Sequence, residues 1–449
     1  MMNPAVVRRD FLIYNTLIPT KMQPLCRYVA SVLRTGTLAL FVCISSVLTL
    51  LLSSNSAYAA IGSMRLEKVD TIVSLVTFYP GSEVYELEGH SALRVRTPWS
   101  DVAYTWGMFD FNAPHFVYRF VKGETDYSVA AVPWSAFCYG YLQQNRRIVE
   151  QELNLTREQT KRLMSSLEEN MRPENRTYRY NYVLDNCATR PFALIEKAVG
   201  KECTLGFCGD PYVDIMANTY RAVMRHYHKN YPWYQFGIDL ALGSGIDQEI
   251  DERAKTFAPI ILCGEIGVSR TIEEDSQYII EDERVLNDVP EDNAILAPTP
   301  WYLTPMMATV TLMLISIVIV YYVTRYRRRM RAFYSAFFLL NALVGSILAF
   351  LVFASEHYAT SPNWLLLWLN PVAFVPAVTV WMPRADRITL MYMVLNYLAL
   401  IVMCVSWIFI DQVANAAFWP WIIADAMLTF AWMWRDKRIE VANQKETKK

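Results

Sequence analysis

The chain has 449 residues, of which 53% are hydrophobic and 14% are aromatic, and its formal net charge is −1 at pH 7. This length is enough for a sizeable soluble domain beside a membrane region. Because the net charge is close to zero, no general attraction to nucleic acid or to acidic substrates is expected, and no nucleic-acid partner is predicted. The apolar residues are concentrated in residues 38–52 and after Trp301.

The N-terminal segment has the composition of a signal peptide. Arg27 and Arg34 precede the apolar run 38–52, and small residues then lead to an Ala-Tyr-Ala sequence that ends at Ala59. This order predicts a leader, residues 1–59, that is cleaved after Ala59. The alternative is an uncleaved signal anchor. In both cases the following residues are exported.

Five cysteines fall in the exported segment, namely Cys138, Cys187, Cys203, Cys208 and Cys263. An oxidising compartment permits disulfides, and an odd number leaves one thiol over. Cys203 with Cys208 and Cys138 with Cys263 are possible pairs, but the sequence leaves the pairing open.

Residues 60–270 are predicted to form a mixed α and β domain that carries the catalytic residues. Short β-branched runs between turn residues predict strands at 71–77, 91–95 and 101–106, the last followed by a turn that contains Gly107.

A helix is predicted after the strands. Thr156 and Gln159 have the spacing of a capping box, and Leu163 and Leu167 are predicted to face the core. The segment 271–300, rich in Asp and Glu before Pro298, is predicted to be an acidic surface region or a stalk.

Five apolar segments within residues 301–438 are each long enough, or nearly so, for a span of about 20 residues. They are 302–323, 332–354, 364–381, 388–410 and 413–434. Basic residues follow the first, third and fifth segments, so these ends and the tail 439–449 are predicted to be cytoplasmic. The third segment contains Asn370, Pro371 and Pro376, and is either an ordinary Pro-kinked span or a broken, re-entrant one.

Cys187 is the candidate nucleophile. Asn186 is a good N-cap residue, so Cys187 is expected in the first turn of a helix that ends at Gly200. Free N–H groups and the helix dipole at such a position would lower the pKa of the thiol. Pro191 is expected to distort or displace this first turn. The alternative is a buried structural cysteine or half of a disulfide.

His90 is the candidate base, since it follows Gly89 at the start of a predicted strand, from where it could reach a helix N-terminus. His226 and His228 lie in a polar run that is typical of solvated surface, and no metal site is predicted there.

Gly89-His90-Ser91 followed much later by Asn186-Cys187 resembles the circularly permuted NlpC-type branch of the papain-like superfamily, which includes the lecithin:retinol acyltransferases. The whole chain resembles the Lnb family of Bacteroidetes lipoprotein N-acyltransferases. The matching features are Gly89-His90, residues 104–111, Gly123, Tyr127, residues 185–190, Pro232-Trp233, residues 236–243, His357, Asn363-Trp364 and residues 366–371.

This resemblance implies an α+β, permuted papain-like (NlpC-type) periplasmic domain followed by an all-α bundle of about five transmembrane helices in a bacterial inner membrane. It implies that Cys187 attacks an acyl ester of a phospholipid and gives an acyl-thioester and a lysophospholipid. The free α-amine of a diacylated lipoprotein then takes the acyl chain. His90 would accept the thiol proton and later deprotonate the amine. No cofactor is implied.

Five further residues are candidates for binding or support. Tyr104 and Asp110 are candidates, by position alone, for a third catalytic residue. Asn186 and Arg190 belong to the matching segment around the nucleophile. His357, in a predicted outward loop, either positions a lipid head group or the incoming peptide, or is a simple interfacial polar residue.

Two other functions fit the same residues. A periplasmic cysteine peptidase or amidase acting on peptidoglycan would use Cys187 and His90 but would need the membrane helices only as an anchor. A non-enzymatic membrane assembly factor would hold Cys187 in a disulfide.

Overall fold

The computed structural model describes residues 71–200, 218–270 and 277–446, which belong to one unit, Asp70–Lys449. The predicted leader, together with Cys203 and Cys208, lies outside the described residues.

The first part of the described chain is built around an antiparallel sheet of seven strands in the order β6-β4-β3-β2-β1-β5-β7. The strands are β1 Ile72–Phe78, β2 His90–Thr97, β3 Ser100–Met108, β4 Asp126–Pro133, β5 Ile148–Leu153, β6 Thr177–Arg179 and β7 Ile280–Asn287. The three predicted strands are confirmed as β1, β2 and β3. Gly107, however, lies within β3 and not in a turn after it.

Helices follow and flank these strands. The described helices are α1 Phe116–Lys122, α2 Trp134–Gln143, α3 Arg157–Met171, α4 Thr189–Val199, α5 Tyr220–Tyr227, α6 Pro232–Ala241, α7 Glu252–Lys255, α8 Pro259–Val268, α9 Pro305–Tyr326, α10 Arg331–Phe353, α11 Phe374–Thr379, α12 Asp386–Ser406 and α13 Phe418–Glu446. The capping box predicted for α3 is confirmed, because Thr156 Oγ1 accepts from the N–H of Gln159 and Gln159 Oε1 accepts from the N–H of Thr156. Leu163 and Leu167 are fully buried in the core.

The acidic segment before the membrane half contributes the edge of the sheet. Residues 280–287 form β7, which pairs antiparallel with β5. Its acidic side chains are exposed, and Gln151 Nε2 donates to Glu283 Oε2 at 2.8 Å. Charged side chains suit an edge strand because they discourage further pairing. This part of residues 271–300 is therefore a surface strand and not a stalk.

Three helices of the described chain are long and apolar enough to cross a membrane: Pro305–Tyr326, Arg331–Phe353 and Pro383–Ser406. They correspond to the first, second and fourth predicted segments. The last helix, α13, packs along α9 and begins within the fifth predicted segment. The structure thus supports a helical C-terminal region with three apolar spans, and a total of five stays a prediction.

The third predicted segment is broken, so the interpretation as an ordinary Pro-kinked span is wrong. It consists of 3-10 turns at Trp364–Leu367 and Pro371–Ala373 followed by the short α11. A side chain at Gly345 of α10 would place its Cβ 2.3 Å from the backbone nitrogen of Asn370, so the glycine allows this backbone to pass close to the helix. Irregular backbone at membrane depth is tolerated where protein buries it, and Trp368 is fully buried.

A buried group of charged side chains fastens the sheet-containing part to the membrane half. Arg221 contacts Asp239 at 2.9 Å and Asp247 at 2.7 Å, and all three side chains are buried. Asp239 also accepts from Arg225 at 3.0 Å and from Asn415 Nδ2 at 2.8 Å, across to the loop before α13. A buried ion pair needs further hydrogen bonds to offset the loss of its hydration. The contact between the sheet-containing part and the membrane half therefore depends on the positions of these particular side chains.

Candidate active site

A closed turn precedes α4 and carries the candidate nucleophile. Asn181 and Asp185 exchange two backbone hydrogen bonds of 3.0 Å. The helix begins at Thr189, so Cys187 lies just before it and not in its first turn, contrary to the sequence prediction. Pro191 falls within the first turn, where its missing N–H costs little because those N–H groups have no partner inside a helix.

Asn186 holds this turn with its whole side-chain amide. Its Oδ1 accepts from the N–H of Ala188 at 2.8 Å and of Thr189 at 2.9 Å. Its Nδ2 donates to the carbonyl oxygens of Tyr182 and Phe257, both at 2.9 Å. The N-cap residue is Ala188 and not, as the sequence predicted, Asn186; Asn186 accepts from the N–H groups just ahead of the helix and ties the turn to a distant segment of chain.

Cys187 is a buried free thiol. The backbone N–H of Ser91, the residue that follows His90 in β2, is among the groups that favour the charged form of this sulfur. The ring of Tyr141 stacks on the ring of His90, with the centroids 6.2 Å apart. Burial raises the pKa of Tyr141, and proximity to Cys187 raises it further. The tertiary structure thus brings Cys187 to the start of β2, where His90 lies.

Cys138 is also a free thiol, on α2. The pairing of Cys138 with Cys263, left open by the sequence, is therefore not formed.

Gly89 and Thr105 position His90. Gly89 has a φ of +83°, and a Cβ there would lie 2.6 Å from the carbonyl oxygen of Phe78, so only glycine fits this entry to β2. In the register of β2 with β3, Thr105 lies opposite Ala92. The Oγ1 of Thr105 is 2.7 Å from His90 Nε2.

Thr105 therefore occupies the place for which Tyr104 and Asp110 were candidates. Successive side chains of a strand point to opposite faces of the sheet, so Tyr104 packs against the core on the other face. The Oδ1 of Asp110 accepts from the N–H of Asn112 at 2.8 Å in an exposed turn. Alternation along β3 separates the faces of Tyr104 and Thr105, but only the pairing of β2 with β3 places Thr105 beside His90.

The two candidate catalytic groups are neutral at rest. Close packing removes water from the partly exposed ring of His90 and lowers its pKa to about 3, and Arg146 acts in the same direction. Burial raises the pKa of Cys187 to about 11, although the N–H groups of Ser91 and Cys187 oppose this. The expected lowering of the thiol pKa is thus wrong, because desolvation outweighs the hydrogen bonds.

A pH profile of thiol alkylation tests this resting state. The thiolate is the reactive form, so the rate of Cys187 alkylation by iodoacetamide should rise about tenfold per pH unit from pH 7 to pH 10. Peptide mass spectrometry that follows Cys187 separately from the other cysteines measures this rate. A plateau already reached at pH 7 would contradict the neutral pair and indicate a thiolate stabilised by imidazolium.

A buried histidine, His228, links the segments that carry His90 and Cys187. His228 Nε2 lies 2.7 Å from Glu88 Oε1, and the hydroxyl of Tyr182 donates to the same carboxylate oxygen. His228 Nδ1 is 2.7 Å from Gln235 Oε1. Glu88 precedes Gly89 in the segment that leads into β2 and His90, and Tyr182 belongs to the turn that leads to Cys187. The prediction that His228 is solvated is wrong, since it is fully buried. No sequence pattern indicated this cluster.

Arg190 supports the turn from its outer side. Its guanidinium makes a bidentate pair with Asp185, at 2.5 and 2.8 Å, and lies 3.4 Å from the ring centroid of Tyr178. Arg190 thus closes the turn that leads to Cys187.

His357 is placed at a different point of the molecule. Its Nε2 donates to the carbonyl oxygen of Phe120 at 2.8 Å, and the N–H of Glu356 donates to the carbonyl oxygen of Lys122 at 2.7 Å. These bonds fasten the loop after α10 to α1.

Among the residues that the structure describes, no three His, Cys, Asp or Glu side chains are grouped so that they could hold a metal ion.

Two family models match the chain. The model of the Lnb N-terminal periplasmic domain matches residues 59–226, which include His90 and Cys187, and the model of the Lnb transmembrane domain matches residues 297–438. No curated protein and no solved structure shows significant similarity to the chain. The two matches follow each other along the chain and coincide with the sheet-containing part and the apolar helices. The chain therefore belongs to the Lnb family and is a membrane protein with a periplasmic domain.

Proposed function

We propose that this protein is a lipoprotein N-acyltransferase of a bacterial inner membrane. It moves an acyl chain from a phospholipid to the α-amine of a diacylated lipoprotein through an acyl-thioester on Cys187. The observation that carries the proposal is the buried free thiol of Cys187 near the backbone of Ser91, the residue after His90, in a domain fastened to apolar helices. The order of the His90 strand before the Cys187 turn and helix supports a permuted papain-like (NlpC-type) arrangement.

In the first step Cys187 Sγ attacks the carbonyl carbon of the phospholipid ester. The bond of Nε2 to Thr105 leaves Nδ1 of His90 as the nitrogen that accepts the thiol proton. Because both groups are neutral at rest, proton transfer accompanies the attack. The ester C–O bond then breaks, and the leaving glycerol oxygen takes the proton from His90 to give a lysophospholipid.

The N–H groups of Ser91 and Cys187, both of which favour the charged form of the sulfur, support stabilisation of the intermediate. Negative charge develops on the carbonyl oxygen beside that sulfur during the attack. Fixed backbone donors at such a place stabilise an oxyanion without reorganisation. We infer that these two N–H groups form the oxyanion hole.

In the second step the α-amine of the lipoprotein attacks the thioester carbon. His90 accepts a proton from the amine, the C–S bond breaks, and the sulfur is reprotonated as the amide forms. Both substrates reside in the bilayer, so a domain fixed to membrane helices meets them at high local concentration. The scheme uses no cofactor.

We place the basic residues that follow the first, third and fifth apolar segments, together with the C-terminus, on the cytoplasmic side.

Intact mass analysis of the full chain tests this proposal. After incubation with a phospholipid of defined acyl composition, Cys187 should gain the mass of one acyl chain, and hydroxylamine should remove it. Addition of a synthetic diacylated lipopeptide with a free α-amine should transfer the chain to that peptide. A Cys187 that stays unmodified, although iodoacetamide alkylates it, would overturn the proposal.

The same preparation separates the rival functions. A peptidoglycan peptidase would cleave muropeptides and would keep this activity after its helices are replaced by one unrelated span, whereas lipid acyl transfer should fail in that chimera. The free thiol of Cys187 argues against an assembly factor that holds it in a disulfide.

Replacement of Thr105 by valine should slow acyl-thioester formation by about tenfold to a hundredfold. Valine keeps the shape but removes the hydroxyl that fixes the ring of His90, and a lost buried hydrogen bond costs about 1–3 kcal/mol. Quenched-flow mass spectrometry measures the rate. Thr105→Ser, which keeps the hydroxyl, is the control and should retain most of the rate. Equal rates in both variants would exclude a role of the hydroxyl.

A further inference from the structure

An apolar surface surrounds α1, on the side of the domain that approaches the membrane helices. We call it the α1 face, and it consists of the exposed side chains of Met108, Phe111, Val117, Tyr118 and Phe120. Val117 is 73% exposed. Large contiguous apolar patches are rare on soluble surfaces and mark sites of contact with a protein or a membrane.

The α1 face lies beside the end of a membrane-spanning helix. The ring of Tyr118 is 6.1 Å from the ring of Phe350, which lies in the last turn of α10. The backbone of Lys122 accepts from the N–H of Glu356, and the backbone of Phe120 accepts from the ring of His357. These contacts keep α1 at the level where the span leaves the apolar layer.

The composition of α1 fits that level of a bilayer. Tyr118 and Phe120 are aromatic, and the same short helix carries Arg119 and Lys122, which pair with Asp126 and Glu124 at its end. Aromatic rings and basic side chains together are typical of helices that lie in a membrane interface, where the rings enter the acyl region and the charges stay with the head groups.

A continuous row of aromatic rings leads from the α1 face toward the nucleophile. The ring of Phe109 is 4.5 Å from that of Phe111 and 5.0 Å from that of Tyr127. Tyr127 stacks on Tyr180 at 4.5 Å. Tyr180 is half-buried and directly precedes Asn181, whose backbone bonds with Asp185 close the turn that leads to Cys187. A row of aromatic rings thus joins the membrane side of the domain to the turn that carries the thiol.

We propose that the α1 face inserts into the outer leaflet of the bilayer and that the acyl chain of the donor lipid enters along this aromatic row. The occupant of the surface is the acyl region of phospholipids, because the surface continues the apolar layer that begins at Phe350. The insertion of the α1 face does not depend on the proposed function, whereas the entry path rests on the proposed acyl transfer.

Photolabelling tests the insertion. The full chain in nanodiscs of phosphatidylethanolamine and phosphatidylglycerol, with a trace of lipid that carries a diazirine near the end of its acyl chain, is irradiated and its peptides are mapped. Residues 108–122 should be labelled. Trp99, which is 87% exposed at the opposite end of β3, roughly 25 Å away, is the matched control and should stay unlabelled. No label in 108–122, or equal label at Trp99, would overturn the insertion.

Charge substitution tests the entry path. Val117→Glu should lower the rate of acyl-thioester formation from bilayer phospholipid at least tenfold, and should leave the rate with a short-chain, water-soluble ester unchanged. Trp99→Glu should alter neither rate. An unchanged bilayer rate in Val117→Glu would overturn the path. If the unsubstituted protein forms no thioester with either donor, the proposed function and the entry path fail together, and the photolabelling result still decides the insertion.

Discussion

Replacement of Cys187 by serine should abolish formation of the acyl-enzyme, and replacement of His90 by alanine should slow it by about 10⁴-fold or more. A serine hydroxyl ionises far less readily than a thiol, and the neutral pair leaves no other group to accept the proton. The fold should persist, because a serine side chain is close in size to cysteine and its hydroxyl can face the same backbone N–H of Ser91. Intact mass analysis and a thermal melt measure the two effects.

The matched control for this experiment is Cys138→Ser. Cys138 and Cys187 are free thiols of equal burial, 8% exposed each, but Cys138 lies on α2 away from the turn. Cys138→Ser should form the acyl-enzyme at the normal rate. An acyl group gained by Cys187→Ser, or lost in Cys138→Ser, would contradict the assignment of the nucleophile.

Replacement of Asp425 by alanine should cause a large loss of stability in the membrane half. The buried carboxylate accepts from Asn341 Nδ2 at 2.8 Å, Trp368 Nε1 at 3.2 Å, Asn396 Nδ2 at 2.8 Å and Thr429 Oγ1 at 3.0 Å. These donors come from α10, the broken segment, α12 and α13. Each donor left without a partner costs about 1–3 kcal/mol, against a total stability of about 5–15 kcal/mol for a typical domain.

Thermal melting of the protein in detergent, followed by size-exclusion chromatography, measures this loss. Asp386→Ala is the control, since Asp386 pairs with Arg329 near the surface of the same helices, where an ion pair contributes at most about 1 kcal/mol. Asp425→Asn, which keeps one acceptor oxygen, should melt between Asp425→Ala and the unsubstituted protein. Equal melting of Asp425→Ala and Asp386→Ala would show that the network does not hold the helices together.

Short-range sequence patterns were enough to predict much of the fold. Strands β1, β2 and β3 and the capping box of α3 were predictable because β-branched runs and cap residues act on their own few neighbours. Apolar length likewise identified the three spans. The acidic strand β7 was missed because its pairing depends on β5, far away in sequence, and its own residues have low strand propensity.

The candidate site likewise combines features that the sequence shows with features that depend on distant segments. The sequence by itself singled out Cys187 and His90 as the candidate catalytic residues, since a thiol after Asn186 and an imidazole after Gly89 are properties of the chain. Only the tertiary structure decided that Thr105 holds His90, that His228 lies behind the site, and that the thiol is neutral. Protonation and partner choice depend on burial and on groups brought from distant segments, and no local pattern reports desolvation.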